Sequence, residues 1–483
     1  MAAEATAGTE GTPTGPPPGP PGPPPVSPPV SPFVPPLDCS GDDAQAMGRE
    51  PLPVLRQILA ACAFPELLDS PSLPEAARDR ARRILRDMDA GNIGGYNHEH
   101  RSHGVPAKIS RFLEFRDGIP CDPKNIVLCS GTATMIPFVL SLFVSPAPSP
   151  PPGVLVPVPG PALCRAVPVL AGAEPVPFAL SESRGWAASG AELRRRVRES
   201  RGRCEPRLLW VLNPGDPTGH VLSRAEMQEL LEVAYEESLV VLAHEVHQDL
   251  CFSAERPFLP FRRLLAELGP PLSDGVQLVS VYSLSKSAAA ESGFRAGFLE
   301  FLNVDPAILA PFQLAQSLPR PCVLGRILLE LVLEPPDERD PISRELEKHR
   351  RSLCRDLAAN ARRVQQQLGR ALGIRCQPPA GGPRVFPKFE IPPRARSQAR
   401  ALGLEPDGFL CQWLRERAGL GVTAGSDCGL GTGDSGDSGD SGDSGDSGDS
   451  CHLGLSLLLP PPVMNRALQL LCHFHGEFLR EFS

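Results

Sequence analysis

Short apolar runs alternate with helix-like segments between about Gly94 and Glu334 of the 483-residue chain. Each clear run is five or six residues long and rich in Leu and Val, which is typical of strands buried on both faces. The runs are Arg207–Leu212, Leu239–Ala243, Val276–Val281 and Phe298–Leu302. Strands separated by helices predict an α/β fold with a mostly parallel central sheet that is covered on both sides.

Helical patterns flank and follow this region. Ser223 and Glu226 form a capping box that opens a helix to about Glu237. From Ile342 to Leu368, apolar residues recur at helical spacing and the pattern stops at Gly369, so one long amphipathic helix is predicted. Shorter runs after it predict a smaller α/β lobe that ends in a helix from about residue 462 to 480.

Two stretches have compositions that cannot form a core. Residues 13–36 are mostly Pro and Gly, and residues 433–450 repeat Gly-Asp-Ser six times, so both are expected to be disordered. The proline-rich stretch is interpreted as a passive spacer, with a ligand for proline-binding modules as the alternative. The predicted division is a tail at 1–37, an N-terminal segment at 38–90 that packs on the small domain, a large domain at 91–340 and a small domain at 341–483.

Charge and cysteine usage narrow the class of protein. The net charge is −8, of which the Gly-Asp-Ser tract supplies six negative charges, so a nucleic-acid partner is not favoured. The 14 cysteines show no CxxC spacing and often lie in apolar stretches, which predicts reduced, buried thiols. No apolar run reaches membrane-spanning length, and the first 48 residues hold no Lys or Arg, which argues against secretory and mitochondrial signals. We therefore expect a cytoplasmic protein without membrane attachment.

The candidate chemistry lies where strands end. Lys286, one of only five lysines, follows an apolar strand in the run Ser283-Leu284-Ser285-Lys286, and Arg295 comes nine residues later. A lysine amine condenses with aldehydes, and an arginine with nearby hydroxyl groups binds phosphate. This pattern predicts a site that holds a phosphorylated aldehyde as a Schiff base.

Three further strand ends carry polar turns, and ligands of open α/β sheets bind at the carboxyl ends of strands. The turns are Gly131-Thr132-Ala133, which opens a helix, Asn213–Gly219, and His244–Asp249. The first of them offers backbone N–H groups to a phosphate at the positive end of a helix. All four strand ends are expected at one edge of the sheet.

In order along the chain, these motifs resemble those of the fold type I aminotransferases, specifically the alanine aminotransferase type. The resemblance runs from about Asp43 to the C-terminus. It rests on Arg116-Asp117-Gly118-Ile119-Pro120, the Asn-Pro-Gly-x-Pro-Thr-Gly turn, Ser-x-Ser-Lys, Gly-Phe-Arg-x-Gly and Leu459-Pro460-Pro461. It implies a fold type I transferase that binds pyridoxal 5'-phosphate and forms a homodimer. The implied reaction exchanges the amino group of alanine with 2-oxoglutarate, giving pyruvate and glutamate.

The resemblance also implies residue roles. Lys286 is the catalytic residue: it forms the Schiff base with the cofactor and later moves the proton of the substrate α-carbon. Arg295, Ser283, Ser285 and the backbone of Thr132 and Ala133 hold the phosphate, although the family has a serine at the position of Ala133. Tyr96 falls in a family segment near the dimer interface and is assigned a supporting role.

Besides Ala133, five positions depart from the family pattern. His244 stands where the family has the aspartate that pairs with the pyridine nitrogen, so the stabilisation by a fixed negative charge is expected to be weakened. His247 and Asp216 replace the tyrosine and the asparagine that contact the ring oxygen of the cofactor. Pro161 replaces the stacking aromatic residue, and Gly454 replaces the arginine that holds the substrate carboxylate.

These departures leave two functions open. One is an aminotransferase of the alanine type with impaired activity; the other is a pseudoenzyme that keeps the dimeric fold as a binding or scaffold protein. A metal site at His244 and His247 is disfavoured, because the pair lacks an evident third ligand, and no metal is expected. The His-rich patch from His98 to His103 is interpreted as a solvated loop, and the GDSG match to a protease serine is rejected because a flexible repeat cannot position a nucleophile.

Overall fold

A computed structural model describes residues 36–88, 91–95, 104–143, 150–315, 321–430 and 450–483. The proline-rich tail up to residue 35, Tyr96, the patch from His98 to His103 and residues 433–449 of the Gly-Asp-Ser tract lie outside these ranges. The predictions for those segments therefore stay predictions.

The central feature is a seven-stranded sheet with the strand order β2-β8-β7-β6-β5-β3-β4. The strands in chain order are β1 Leu37–Asp38, β2 Ile126–Cys129, β3 Pro152–Val158, β4 Glu174–Ala179, β5 Glu205–Leu212, β6 Val240–His244, β7 Leu278–Ser283, β8 Gly297–Leu302, β9 Ile374–Arg375, β10 Arg384–Val385, β11 Lys388–Glu390, β12 Leu420–Gly421, β13 Thr423–Ala424 and β14 Ser450–Ser456. All neighbours in the large sheet are parallel except β8, which is antiparallel to both β2 and β7.

Helices cover both faces of this sheet and build the second lobe. They are α1 Pro53–Ala63, α2 Glu75–Asp87, α3 Val105–Asp117, α4 Thr132–Phe143, α5 Ala162–Leu170, α6 Gly190–Ser200, α7 Arg224–Glu236, α8 Phe261–Leu268, α9 Leu272–Gly275, α10 Pro306–Ala315, α11 Val323–Val332, α12 Pro341–Leu368, α13 Pro393–Ala401, α14 Pro406–Ala418 and α15 Pro461–Phe482. The predicted α/β fold with a mostly parallel sheet is confirmed.

Side chains that alternate along each strand of the large sheet build one hydrophobic core on each of its two faces. On β5, Leu208 and Trp210 face the core that includes residues of α4 and α5, whereas Leu209 and Val211 face the core beneath α6, α7 and α8. Successive side chains of a strand point to opposite faces, so a run that is apolar throughout is buried on both sides.

The orientation of β8 is a difference from the simple alternating pattern. Only residues 284–296 separate β7 from β8, and they form two short 3₁₀ turns instead of a crossover helix. Without such a crossover the chain returns antiparallel beside β7. Lys286 and Arg295 both lie on this connection, at the edge of the sheet where β7 ends and β8 begins.

The second lobe follows the long helix α12, which begins with its N-cap Asp340 and buries Leu357, Val364 and Leu368. Its sheet has the order β10-β14-β11-β9, with β13 also paired to β14. The predicted capping box at Ser223 and Glu226, the long helix and the C-terminal helix are all confirmed.

The N-terminal segment contacts both lobes. Its first residues pair in parallel with β12 of the second lobe, whereas α1 and α2 share a core with α3 and α11. The domain bounds given above remain a prediction. None of the helices in the described ranges combines the length and the hydrophobicity that crossing a bilayer requires. All 14 cysteines lie in described residues and none forms a disulfide, in line with the predicted reduced thiols.

Candidate active site

The carboxyl ends of β2, β5, β6 and β7 meet at one edge of the sheet, as predicted. β5, β6 and β7 are parallel neighbours, and β8 links β7 to β2, so that Cys129 and Ser283 both lie opposite Gly297. His244 lies at the end of β6, and its pKa is affected by burial and by the charges of His247, Asp216 and Lys286, which therefore lie close to it. The structure therefore brings the predicted residues of three separate turns together.

Lys286 lies between the two lobes, in a small cavity that His247 of the first lobe and Leu458 of the second lobe also line. It ends a 3₁₀ turn that follows β7, and its side chain is 25% exposed. Its Nζ forms an ion pair with the carboxylate of Asp42, from the N-terminal segment. Burial raises the pKa of Asp42, but the charge and the hydrogen bond of Lys286, together with the charge of Arg384, outweigh that effect and lower the pKa overall. Lys286 thus faces a carboxylate that stays ionised.

An anion cradle is built from Arg295, Ser285 and the start of α4. Arg295 Nη1 donates to Ser285 Oγ at 3.1 Å. Gly131 has a φ of +104°, and a Cβ there would lie 2.2 Å from Arg295 Nη2, so the guanidinium packs directly over the glycine backbone. Thr132 and Ala133 form the first turn of α4, where backbone N–H groups have no helical acceptor. Ser283 is buried at the end of β7.

His244 is held as a neutral donor. Trp210 Nε1 donates to His244 Nδ1 at 3.2 Å, and the two rings stack. An indole N–H can only donate, so Nδ1 carries no proton and the neutral ring bears it on Nε2. Burial, followed by the repulsion of His247, lowers the pKa of His244 to about 3. At neutral pH this position therefore offers an uncharged N–H.

His247 and Asp216 are the other replaced ring contacts. Burial lowers the pKa of His247 to about 3, and its Nδ1 has no hydrogen-bond partner among the described residues. Burial also raises the pKa of Asp216. Its Oδ1 lies 3.8 Å from Arg384 Nε, a contact that is too long for a hydrogen bond.

The last two departures are Pro161 and Gly454. Pro161 is the residue before α5. Gly454 lies in the middle of β14, where it pairs with Thr423 of β13. A Cβ at Gly454 would lie 3.2 Å from Thr423 Cβ, so the strand is packed tightly at the position where the resemblance expects an arginine.

Sequence reasoning missed Asp42, Trp210 and Arg384. Asp42 lies 244 residues from Lys286 in sequence, and Trp210 reads as an ordinary core residue of an apolar strand. Arg384 belongs to a two-residue strand that has no periodic pattern. Only the tertiary fold brings these side chains to the site.

The similarity to known proteins agrees with this geometry. The family model of aminotransferase class I and II matches residues 64–436. The chain belongs to the class I and II aminotransferases. It is 38% identical to alanine aminotransferase 1 of Bos taurus over 443 residues, 91% of this chain and 86% of the relative. Its identity to the Homo sapiens alanine aminotransferase 1 is 37%, with the same coverage.

Solved structures support the same fold. An alanine aminotransferase from Pyrococcus furiosus superposes with a TM-score of 0.68 at 15% identity, covering 92% of this chain and 93% of that chain. An aminotransferase from Clostridium difficile 630, described as PLP-bound, gives a TM-score of 0.64 at 13% identity, covering 90% and 92%. At these identities the likeness concerns the fold.

Pyridoxal 5'-phosphate is the cofactor of this aminotransferase family. Most of the site fits it: Arg295, Ser285 and the N-terminus of α4 suit its phosphate, and Lys286 suits its aldehyde. The crowding of Arg295 over Gly131 shows a cradle in which any larger residue would displace the guanidinium. The fit is altered at His244, which presents an N–H where the resemblance expects a carboxylate.

Proposed function

We propose that this aminotransferase exchanges the amino group of L-alanine with 2-oxoglutarate, giving pyruvate and L-glutamate, and that it turns over slowly. The observation that carries the proposal is Lys286, which lies in the cleft beside the cradle of Arg295, Ser285 and Gly131. The alanine aminotransferases of Bos taurus and Homo sapiens, which cover most of this chain, support the choice of substrates.

The bound cofactor would supply a conjugated ring that withdraws electrons from the reacting carbon. Lys286 would bind the aldehyde through Nζ and, once released, move a proton at the substrate α-carbon. The ion pair with Asp42, from the N-terminal segment, would orient this amine. Arg295 and Ser285, which are hydrogen-bonded to each other, would hold the phosphate through charge-assisted hydrogen bonds.

The proposed slow turnover follows from His244, the residue that would face the pyridine nitrogen of the cofactor. His244 is uncharged at neutral pH and offers only an N–H. A ring nitrogen that accepts this hydrogen bond is not protonated, so the ring stabilises negative charge on the reacting carbon less well. Removing one such electrostatic contribution typically lowers rates by a factor of about 10² to 10³.

A second candidate is a homodimeric aminotransferase-fold protein that binds the cofactor without turnover and acts as a binding or scaffold protein. The neutral state of His244 and the missing side chain at Gly454 favour it. Both candidates assume a dimer in the cytoplasm, which light scattering and cell fractionation of the tagged protein test directly.

The experiment for the proposed function is a single turnover on purified protein saturated with pyridoxal 5'-phosphate. We expect an absorbance band from cofactor attached to Lys286, which L-alanine converts with release of one pyruvate per site. Lys286→Ala should remove both the band and the pyruvate. Lys388→Ala, at an ion-paired lysine on β11, serves as the control and should keep both.

The outcomes separate the candidates. If the wild-type protein shows the band and Lys286→Ala lacks it, but the wild-type protein releases no pyruvate, the non-catalytic binding protein would be favoured. A band of equal size in wild type and Lys286→Ala would mean that the assignment of the lysine is wrong.

A further inference from the structure

An arginine of the neighbouring strand lies on the same face of the small sheet as Gly454. β10 and β14 are antiparallel, with Arg384 opposite Ser456 and Val385 opposite Leu455. Directly opposed residues of an antiparallel pair share a face, and so do residues two apart on one strand. Gly454 and Ser456 are two residues apart on β14. Arg384 and Gly454 therefore lie on the same face of the small sheet, as diagonal neighbours on adjacent strands.

The side chain of Arg384 extends from this face toward a turn of the large sheet. Arg384 Nε lies 3.8 Å from Asp216 Oδ1, on the turn that follows β5 of the large sheet. The charge of Arg384 also acts on Asp42 and His247, two residues on which the charge of Lys286 acts as well. A cationic side chain from β10 therefore lies near Asp216 and acts on the charged groups around Lys286.

The guanidinium of Arg384 is charged, largely buried and incompletely bonded. Its side chain is 16% exposed, and Nε is a buried atom with no hydrogen-bond partner among the described residues. Asp216 Oδ1, the nearest carboxylate oxygen, is likewise buried without a partner. A buried donor without an acceptor is costly, and a carboxylate that supplies two oxygens relieves that cost by a bidentate pair.

We propose that Arg384 binds the carboxylate of the small 2-amino or 2-oxo acid substrate, in place of an arginine at position 454. This inference rests on the proposed function, because it assigns the substrate-binding group of that same site. Asp216 is then an internal carboxylate that competes with the substrate for Arg384. The tight packing of Gly454 against Thr423 fits this arrangement, since β14 leaves little room for a side chain.

Calorimetric titration of the cofactor-saturated protein with propionate tests the proposal. Propionate has the carboxylate of alanine but no amine, so it binds without reacting. We expect R384Q and R384K to weaken propionate binding by more than about tenfold, because losing one partner of a buried charge pair costs that much or more. K388Q removes a positive charge from the same face, where Lys388 lies opposite His452, and should bind propionate like wild type.

D216N provides a second variant that does not remove the arginine. Because it removes the competing carboxylate, we expect D216N to bind propionate more tightly than wild type. Equal propionate binding by wild type and R384Q, or no binding by wild type, would overturn the proposal. Weakening in D216N as large as in R384Q would also overturn it, because Arg384 would then serve only as the counter-ion of Asp216.

The cofactor band recorded on the same samples separates this inference from the proposed function. Loss of propionate binding in R384Q with an unchanged cofactor band supports the role of Arg384. A wild-type protein that lacks the band but binds propionate through Arg384 contradicts the cofactor assignment and still supports the carboxylate site.

Discussion

At the scale of single residues, the contact between Trp210 and His244 decides the character of the site. The indole N–H fixes which imidazole nitrogen carries the proton, and burial keeps the ring neutral. The resemblance expects an aspartate at the position of His244. Here it is neither a cation nor a carboxylate, and its free N–H can only donate.

The neutral state of His244 predicts a pH dependence of stability. The pKa of His244 is lowered to about 3 in the folded protein, whereas it is about 6.5 in the unfolded chain. Below about pH 6.5, the unfolded chain therefore binds a proton at this residue that the folded chain does not bind. The free energy of unfolding therefore falls with decreasing pH. In urea titrations from pH 7 to pH 5, wild type should lose about 2 kcal/mol more than His244→Gln, which cannot bind this proton.

His473 is a suitable control because it is an exposed histidine on α15. His473→Gln should follow the wild-type curve. Parallel curves for wild type and His244→Gln would contradict the assignment of a buried neutral ring.

The sequence was sufficient to locate most site residues but not their states. Lys286, Arg295, His244 and Asp216 were predicted from strand ends and family motifs, and the fold brings them together. The tautomer of His244 depends on Trp210, 34 residues earlier on a neighbouring strand. Such a contact is a property of strand register, which no local pattern contains.

At the scale of elements, the anion cradle depends on the turn that connects β2 to α4. Gly131 occupies a positive φ region that favours glycine, and its missing side chain lets Arg295 approach the start of the helix. The turn thus brings a guanidinium and free backbone N–H groups to one place.

Gly131→Ala should therefore weaken cofactor binding by about tenfold or more, because the new Cβ pushes the Arg295 guanidinium away from the helix start. Fluorescence titration with pyridoxal 5'-phosphate measures this change. Gly172→Ala is a matched control, since Gly172 also has a positive φ of +79° but has open space around its Cβ position. Both variants should lose about 1 to 2 kcal/mol of stability, because alanine is strained at a positive φ. Equal cofactor affinities would contradict the cradle.

The elements also show where sequence patterns end. Long periodic segments such as α7 and α12 were predicted nearly to the residue. The antiparallel course of β8 was not, because an apolar strand carries no signal of its direction. β10 is two residues long, too short for any periodicity, although it carries Arg384.

At the scale of the whole molecule, the N-terminal segment joins the two lobes around the cleft. Gln45 Nε2 donates to Glu291 Oε2 at 3.1 Å on the side of the large sheet. Arg49 Nε donates to Leu458 O at 2.7 Å on the side of the small lobe. Asp42, which lies between β1 and Gln45 in this segment, forms the ion pair with Lys286. The relative position of the lobes and the setting of the lysine are therefore linked through one stretch of chain.

The central claim is that this aminotransferase retains amino-group transfer through Lys286 but is slowed at its ring end. The most direct measurement is the steady-state rate of glutamate formation from L-alanine and 2-oxoglutarate, in wild type, Lys286→Ala and His244→Asp. We predict a slow rate in wild type, none in Lys286→Ala, and a rate in His244→Asp that is raised by about tenfold or more, because a carboxylate keeps the ring nitrogen protonated. No glutamate from wild type and from His244→Asp alike would contradict the account.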